Sequence, residues 1–109
     1  MQLETEVSGT REVCDEAQLR EALGGDVLGK GFIILSQAPQ NYIQAGDDGN
    51  GSYAMEYRDG DDAHHFQARN QYTKEQVLQA FCWYLAGDPR WRSEYSWQKL
   101  ESRRWWKFW

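Results

Sequence analysis

The clearest periodic stretch of the chain begins at Thr73, where Val77, Leu78, Phe81, Tyr84 and Leu85 recur at helical spacing and give one apolar stripe. Thr73 is placed to cap this helix, with Gln76 three residues on to return the hydrogen bond. Gly87-Asp88-Pro89 ends it, since glycine permits a left-handed exit and proline disfavours continuation. A shorter helix is predicted after Asp15, with Gln18 at the third position, Leu19 and Leu23 on one side, and Gly24-Gly25 as its stop.

Between the helices the period changes from helical to alternating. Gly31-Phe32-Ile33-Ile34-Leu35 is continuously apolar and predicts a strand buried on both faces. Pro39 interrupts it, and Asn41-Tyr42-Ile43-Gln44-Ala45 predicts the next strand. After the turn signal Asp47-Asp48-Gly49-Asn50-Gly51, residues 52–58 alternate. Tyr53, Met55 and Tyr57 fall on one face, and Ala54, Glu56 and Arg58 on the other. Asp59-Gly60 turns the chain into a last strand, Ala63–Ala68, with His64, Phe66 and Ala68 opposite His65 and Gln67. Residues 3–7 predict a short edge strand, and residues 91–104 a short Trp-rich helical segment with Trp97 and Leu100 at i and i+3.

The predicted fold class is therefore α+β. An N-terminal helix precedes a four-stranded antiparallel meander, the long helix covers one face of the meander, and a short C-terminal helical segment follows. The other face is expected to stay available, presenting Glu56, Arg58, His65 and Gln67. The chain's 109 residues fit a single domain, and 40% hydrophobic against 27% charged residues is the composition of a chain that folds.

Charge and aromatic content sharpen this picture. Residues 1–62 hold 13 acidic and 4 basic side chains, a formal charge of −9, whereas residues 63–109 hold 4 and 8, a formal charge of +4. Asp47, Asp48, Asp59, Asp61 and Asp62 are expected to give one surface a negative potential that attracts a basic partner and disfavours nucleic acid. All six tryptophans fall in the last 27 residues; with Arg92, Lys99, Arg103, Arg104 and Lys107 they suggest base stacking, which the acidic first half opposes. The final Trp105-Trp106-Lys107-Phe108-Trp109 is too short to span a bilayer, but its exposed rings would permit a homodimer. No apolar run is long enough for a membrane span and residues 1–6 lack a secretory pattern, so a cytoplasmic location is expected.

Chemistry-bearing motifs fail on inspection. Residues 24–31 match the glycine and lysine positions of a phosphate-binding loop, but Gly31 stands where the magnesium-holding hydroxyl belongs. The Asp47 and Asp59 loops lack the bidentate glutamate of a calcium loop, Arg58 and Asn70 taking its place. Cys14 and Cys82 are far apart, and Cys82 reads as a small buried residue. His64 and His65 point to opposite faces of an extended chain and do not readily share an ion. Glu56 or Asp62 can approach one imidazole across a hairpin, so spacing alone leaves proton transfer open. No nucleophile, cofactor or metal set is predicted, and action without catalysis is expected.

Five stretches carry a resemblance: Gly31–Leu35, Tyr42-Ile43-Gln44, Met55–Gly60, His65-Phe66, and Ala80-Phe81 with Tyr84–Asp88 and Trp91. Over about residues 31–98 the chain resembles small bacterial immunity proteins of polymorphic toxin systems. The resemblance implies a protein that binds a cognate toxin stoichiometrically and blocks it, a nuclease toxin being one that would present a complementary positive surface. The alternative is a protein-binding or homo-oligomeric structural module. The partner-binding candidates are Gln44, Asp47, Asp48, Glu56, Arg58, Asp59, Asp61, Asp62 and His65, with Tyr57 as a fold or interface position.

Overall fold

The computed structural model describes residues 1–24, 31–47 and 51–100, apart from the side chain of Asp62. In chain order the elements are β1 (Gln2–Thr5), β2 (Gly9–Glu12), α1 (Glu16–Ala22), β3 (Phe32–Ala38), β4 (Asn41–Asp47) and β5 (Tyr53–Asp59). A 3₁₀ turn (Asp62–His64) then leads to β6 (His65–Ala68), α2 (Lys74–Ala86), α3 (Arg90–Ser93) and β7 (Trp97–Lys99). The strands form a seven-stranded sheet of order β2-β1-β3-β4-β5-β6-β7, every pairing antiparallel.

The predicted meander is its centre, β3 to β6, packed against α2. Alternation decides which side chains meet the helices: Leu3, Ile33, Leu35, Ile43, Met55 and Tyr57 point to one face and are buried with Leu19, Leu23, Val77 and Phe81. At 25 cal/mol per Å² of apolar area, each such large side chain stabilises the fold by about 1.5–3 kcal/mol relative to its exposed state. Both helices begin as their sequences dictate. Asp15 Oδ1 accepts from the Gln18 amide at 2.8 Å, and the Gln18 side chain accepts from Cys14 N at 2.6 Å. Thr73 and Gln76 form the reciprocal box, at 3.2 Å and 2.9 Å. Gly87, at φ +74°, carries α2 into its left-handed exit.

Gly31 is required for a different reason. Its φ of +110° is strained for any side chain, and a Cβ there would lie 2.5 Å from the carboxyl of Glu6. That close approach brings the start of β3 against the end of β1, where Glu6 N donates to the Phe32 carbonyl at 3.3 Å.

The structure corrects several expectations. The strand expected at residues 3–7 forms as Gln2–Thr5, but it is interior and not an edge, because an unexpected strand, β2, covers its outer side before the first helix begins. All four residues of β2 are exposed, so no buried face marks it in the sequence. The apolar run of β3 is not buried on both faces: Ile33 and Leu35 face the core, while Phe32 and Ile34 are half-buried on the other side. His64 lies in the 3₁₀ turn and not in the last strand. The segment after Pro89 gives one helical turn and then β7, so Trp97 pairs with Ala68 across the sheet instead of stacking on Leu100 along a helix. Trp97 gains aromatic contact by this route, standing edge-on to Tyr57 at 4.8 Å. The candidate phosphate loop from residue 25 to 30 and the aromatic end from Trp105 to Trp109 lie outside the described residues.

Candidate functional site

The face of the sheet away from α1 and α2 is organised by register into rows. One row runs Gln2, Ser36, Tyr42, Arg58, His65, and the next runs Glu4, Ile34, Gln44, Glu56, Gln67, Gln98. Adjacent members sit about 4.5–5.5 Å apart at Cβ, close enough for polar side chains to satisfy one another.

They do so most completely at Glu56 and His65. Glu56 is 0% exposed and His65 1% exposed, and His65 Nε2 lies 2.7 Å from Glu56 Oε1. The same oxygen accepts from Gln44 Nε2 at 3.3 Å, and Gln44 is itself 7% exposed. Arg58 Nη2 lies 3.4 Å from His65 Nδ1, while Arg58 Nη1 donates to Gln40 Oε1 at 2.7 Å. A guanidinium only donates, so the consistent tautomer has Nδ1 accepting from Arg58 and Nε2–H donating to the Glu56 carboxylate. The Tyr42 ring closes the group, edge-on to His65 at 6.4 Å with the Arg58 guanidinium 5.8 Å from its centroid. A buried carboxylate is strongly penalised unless it is hydrogen-bonded, and this arrangement meets that demand.

The site candidates therefore divide by location. Gln44, Glu56, Arg58 and His65 come together, but Glu56 and His65 are buried and not presented on an open platform as expected. The carboxylates expected to form one negative surface are separated. Asp47 ends β4 opposite Tyr53, whereas Asp59 pairs with Asn41 at the other end of the same ladder, about 20 Å away at 3.3 Å per residue. Asp59 and Asp61 also hold neighbours of their own: the Arg92 guanidinium lies 3.1 Å from Asp59, and the His64 imidazole 2.7 Å from Asp61. The His64 hydrogen bond keeps the Asp61 carboxyl below the usual carboxylate range. Asp48 and the side chain of Asp62 lie outside the described residues. Tyr57 faces the helices, stacked on Phe66 at 4.8 Å, with Arg92 5.0 Å from its ring; burial raises its phenol above the ordinary tyrosine value.

Beside the polar group, on the β1–β3–β4 part of the same face, lies a cleft of about 1100 Å³. Gln2, Glu4, Ile34, Ser36, Tyr42 and Gln44 form its floor, and it continues past Gln37 to the end of α2 at Leu85 and Gly87. Sequence reasoning missed Gln2, Glu4 and Ser36. The available signal was the alternation of polar Gln2 and Glu4 with buried Leu3 and Thr5, which marks two faces on β1.

Among the described residues, no three His, Cys, Asp or Glu side chains are grouped to hold a metal ion. Likewise, among the described residues no helix is long and apolar enough to cross a membrane. No protein-family model, curated protein or solved structure matches the chain. What the fold defines is a mixed α+β protein whose central antiparallel sheet packs against one long helix.

Proposed function

We propose that this chain neutralises a protein toxin by binding it stoichiometrically on the sheet face opposite the helices. The observation that carries the reading is the contrast between that face's open cleft and the locked polar group beside it. Side chains already held by hydrogen bonds lose little freedom when a partner docks, and such preorganisation favours tight association. The cleft, at about 1100 Å³, lies just past the upper end of the roughly 300–1,000 Å³ usual for small-molecule sites and is floored by paired strands, which suits an extended polypeptide. Both ring nitrogens of His65 have protein partners, which fits a positioning role for Glu56 and His65 better than proton transfer to a substrate. The sequence resemblance supplies the kind of partner, a toxin made by the same cell.

The test is a photo-crosslinking amino acid placed at exposed Gln37, on the cleft, and in a control at exposed Glu75, on the helix side. In the producing cell the Gln37 position should trap one protein in a 1:1 complex. That protein, expressed alone in another host, should arrest growth, and co-expression of this chain should relieve the arrest. Trapping from Glu75 alone, or a trapped protein that is harmless, removes the proposal.

A further inference from the structure

We infer that the occupant of the cleft is an extended segment of the partner bearing lysine or arginine, seated with its aliphatic stem on Ile34 and its charged head at Glu4. This inference rests on the docking reading above and specifies the chemistry of what docks. Glu4 and Ile34 are directly paired across β1 and β3, so their Cβ atoms stand about 5 Å apart and an acidic side chain flanks an apolar seat. A lysine or arginine needs that combination, because its stem favours apolar cover while its head seeks an anion and water. Ile34 is half-buried and Glu4 exposed, so both are accessible from the cleft. Glu4 forms no salt bridge among the described residues.

Charge points the same way. The side chains lining the cleft include the carboxylates of Glu4 and Glu12 and, among the described residues, no lysine or arginine; the Met1 ammonium, also on the cleft, pairs with Glu12 at 2.6 Å and leaves Glu4 as the carboxylate open to a partner. The nearest guanidinium on this face, that of Arg58, is turned to Gln40 and His65 at the far side of Tyr42. With the Met1 ammonium and Glu12 offsetting each other, a cationic segment is attracted by the remaining carboxylate of Glu4, whereas an acidic one is repelled by it. The floor is formed by strand faces, on which rows recur about every 6.6 Å, two residues at 3.3 Å each. An extended segment repeats its side chains at that spacing and matches the floor, whereas a helix does not.

The experiment is an amide-shift titration of the whole chain with a synthetic peptide alternating lysine and serine, and with matched peptides carrying glutamate or glutamine for lysine, at low and at physiological salt. The lysine peptide should move the amides of Glu4, Ile34, Ser36 and Gln44. Glu4→Gln should weaken its binding about tenfold, Asp47→Lys at the other end of β4 less than twofold, and added salt should weaken it as well. Equal binding of the glutamine peptide, or no change in Glu4→Gln, overturns the inference. Movement of the same amides on raising the protein concentration without peptide also overturns it, assigning the face to a second copy of the chain. If Gln37 still traps its toxin while Glu4→Gln leaves that complex unweakened, the docking face stands and the cationic segment falls. If Gln37 traps nothing, the docking face itself falls.

Discussion

The two faces of the sheet are made by alternate residues of the same strands, yet they are buried by different means. On β5, Tyr53, Met55 and Tyr57 enter an apolar core beneath the helices, while Glu56 between them is equally inaccessible on the opposite side. The first face excludes water because Phe81, Val77 and Leu19 cover it. On the second face, burial is tolerated because the buried carboxylate and imidazole meet polar partners: Glu56 meets His65 and Gln44, and Arg58 meets Gln40 and His65 through its terminal nitrogens, its buried Nε making no hydrogen bond among the described residues. The contrast teaches that alternation assigns a residue to a face without saying whether that face is wet. On a face without helices, burial depends on cross-strand partners.

The sharpest way to break this comparison is to remove one anchor from each side. Phe81→Ala, at a fully buried position of α2, should cost about 3–5 kcal/mol in urea denaturation, because the lost ring leaves a cavity among neighbours from both helices and sheet. Glu56→Ala should cost somewhat less, about 3 kcal/mol, chiefly by stranding His65 and Gln44 without their acceptor. The distinguishing variant is Glu56→Met combined with His65→Leu, which removes both members of the pair. It should recover part of the loss, since no imidazole is left stranded, while Gln44 and Arg58 each still lose one partner. If the double variant is as unstable as Glu56→Ala, the second face is held by packing like the first, and the comparison fails.

The same distinction explains what the sequence disclosed. Helices α1 and α2 were legible because their signals are local: Asp15 with Gln18, and Thr73 with Gln76, lie within one turn. The central strands were legible because Tyr53, Met55 and Tyr57 alternate cleanly. β2 was not, since Gly9–Glu12 buries nothing and exists only by pairing with β1. β7 was not, because its three residues are specified by β6 and a tryptophan spacing can be read as helix. The polar group was half legible. Its residues were on the candidate list, but their burial depends on a register that brings Gln44 beside Glu56 and Arg58 beside His65. Glu4 was invisible as a site residue because it reaches the cleft only when β3, far along the chain, pairs with β1.

The smallest expected effect tests whether the helix side also obeys the rule of partnered polar groups. Tyr95 packs edge-on to Tyr72 at 4.9 Å, and its hydroxyl donates to the Gln76 carbonyl at 2.6 Å. Burial, with a smaller contribution from Tyr72, pushes its phenol up to about 12. In the unfolded chain a tyrosine ionises near about 10. Between those values the unfolded state holds fewer protons than the folded one, so stability is complete below pH 10 and declines as pH rises toward 12. An absorbance titration near 295 nm should show one phenol ionising at about 12 that is missing in Tyr95→Phe. That variant should lose about 1 kcal/mol at neutral pH with the hydrogen bond, and its stability should decline less steeply above pH 10. A Tyr95 that titrates near 10 would mean its hydroxyl meets water instead of Gln76, and that polar partnering is confined to the face away from the helices.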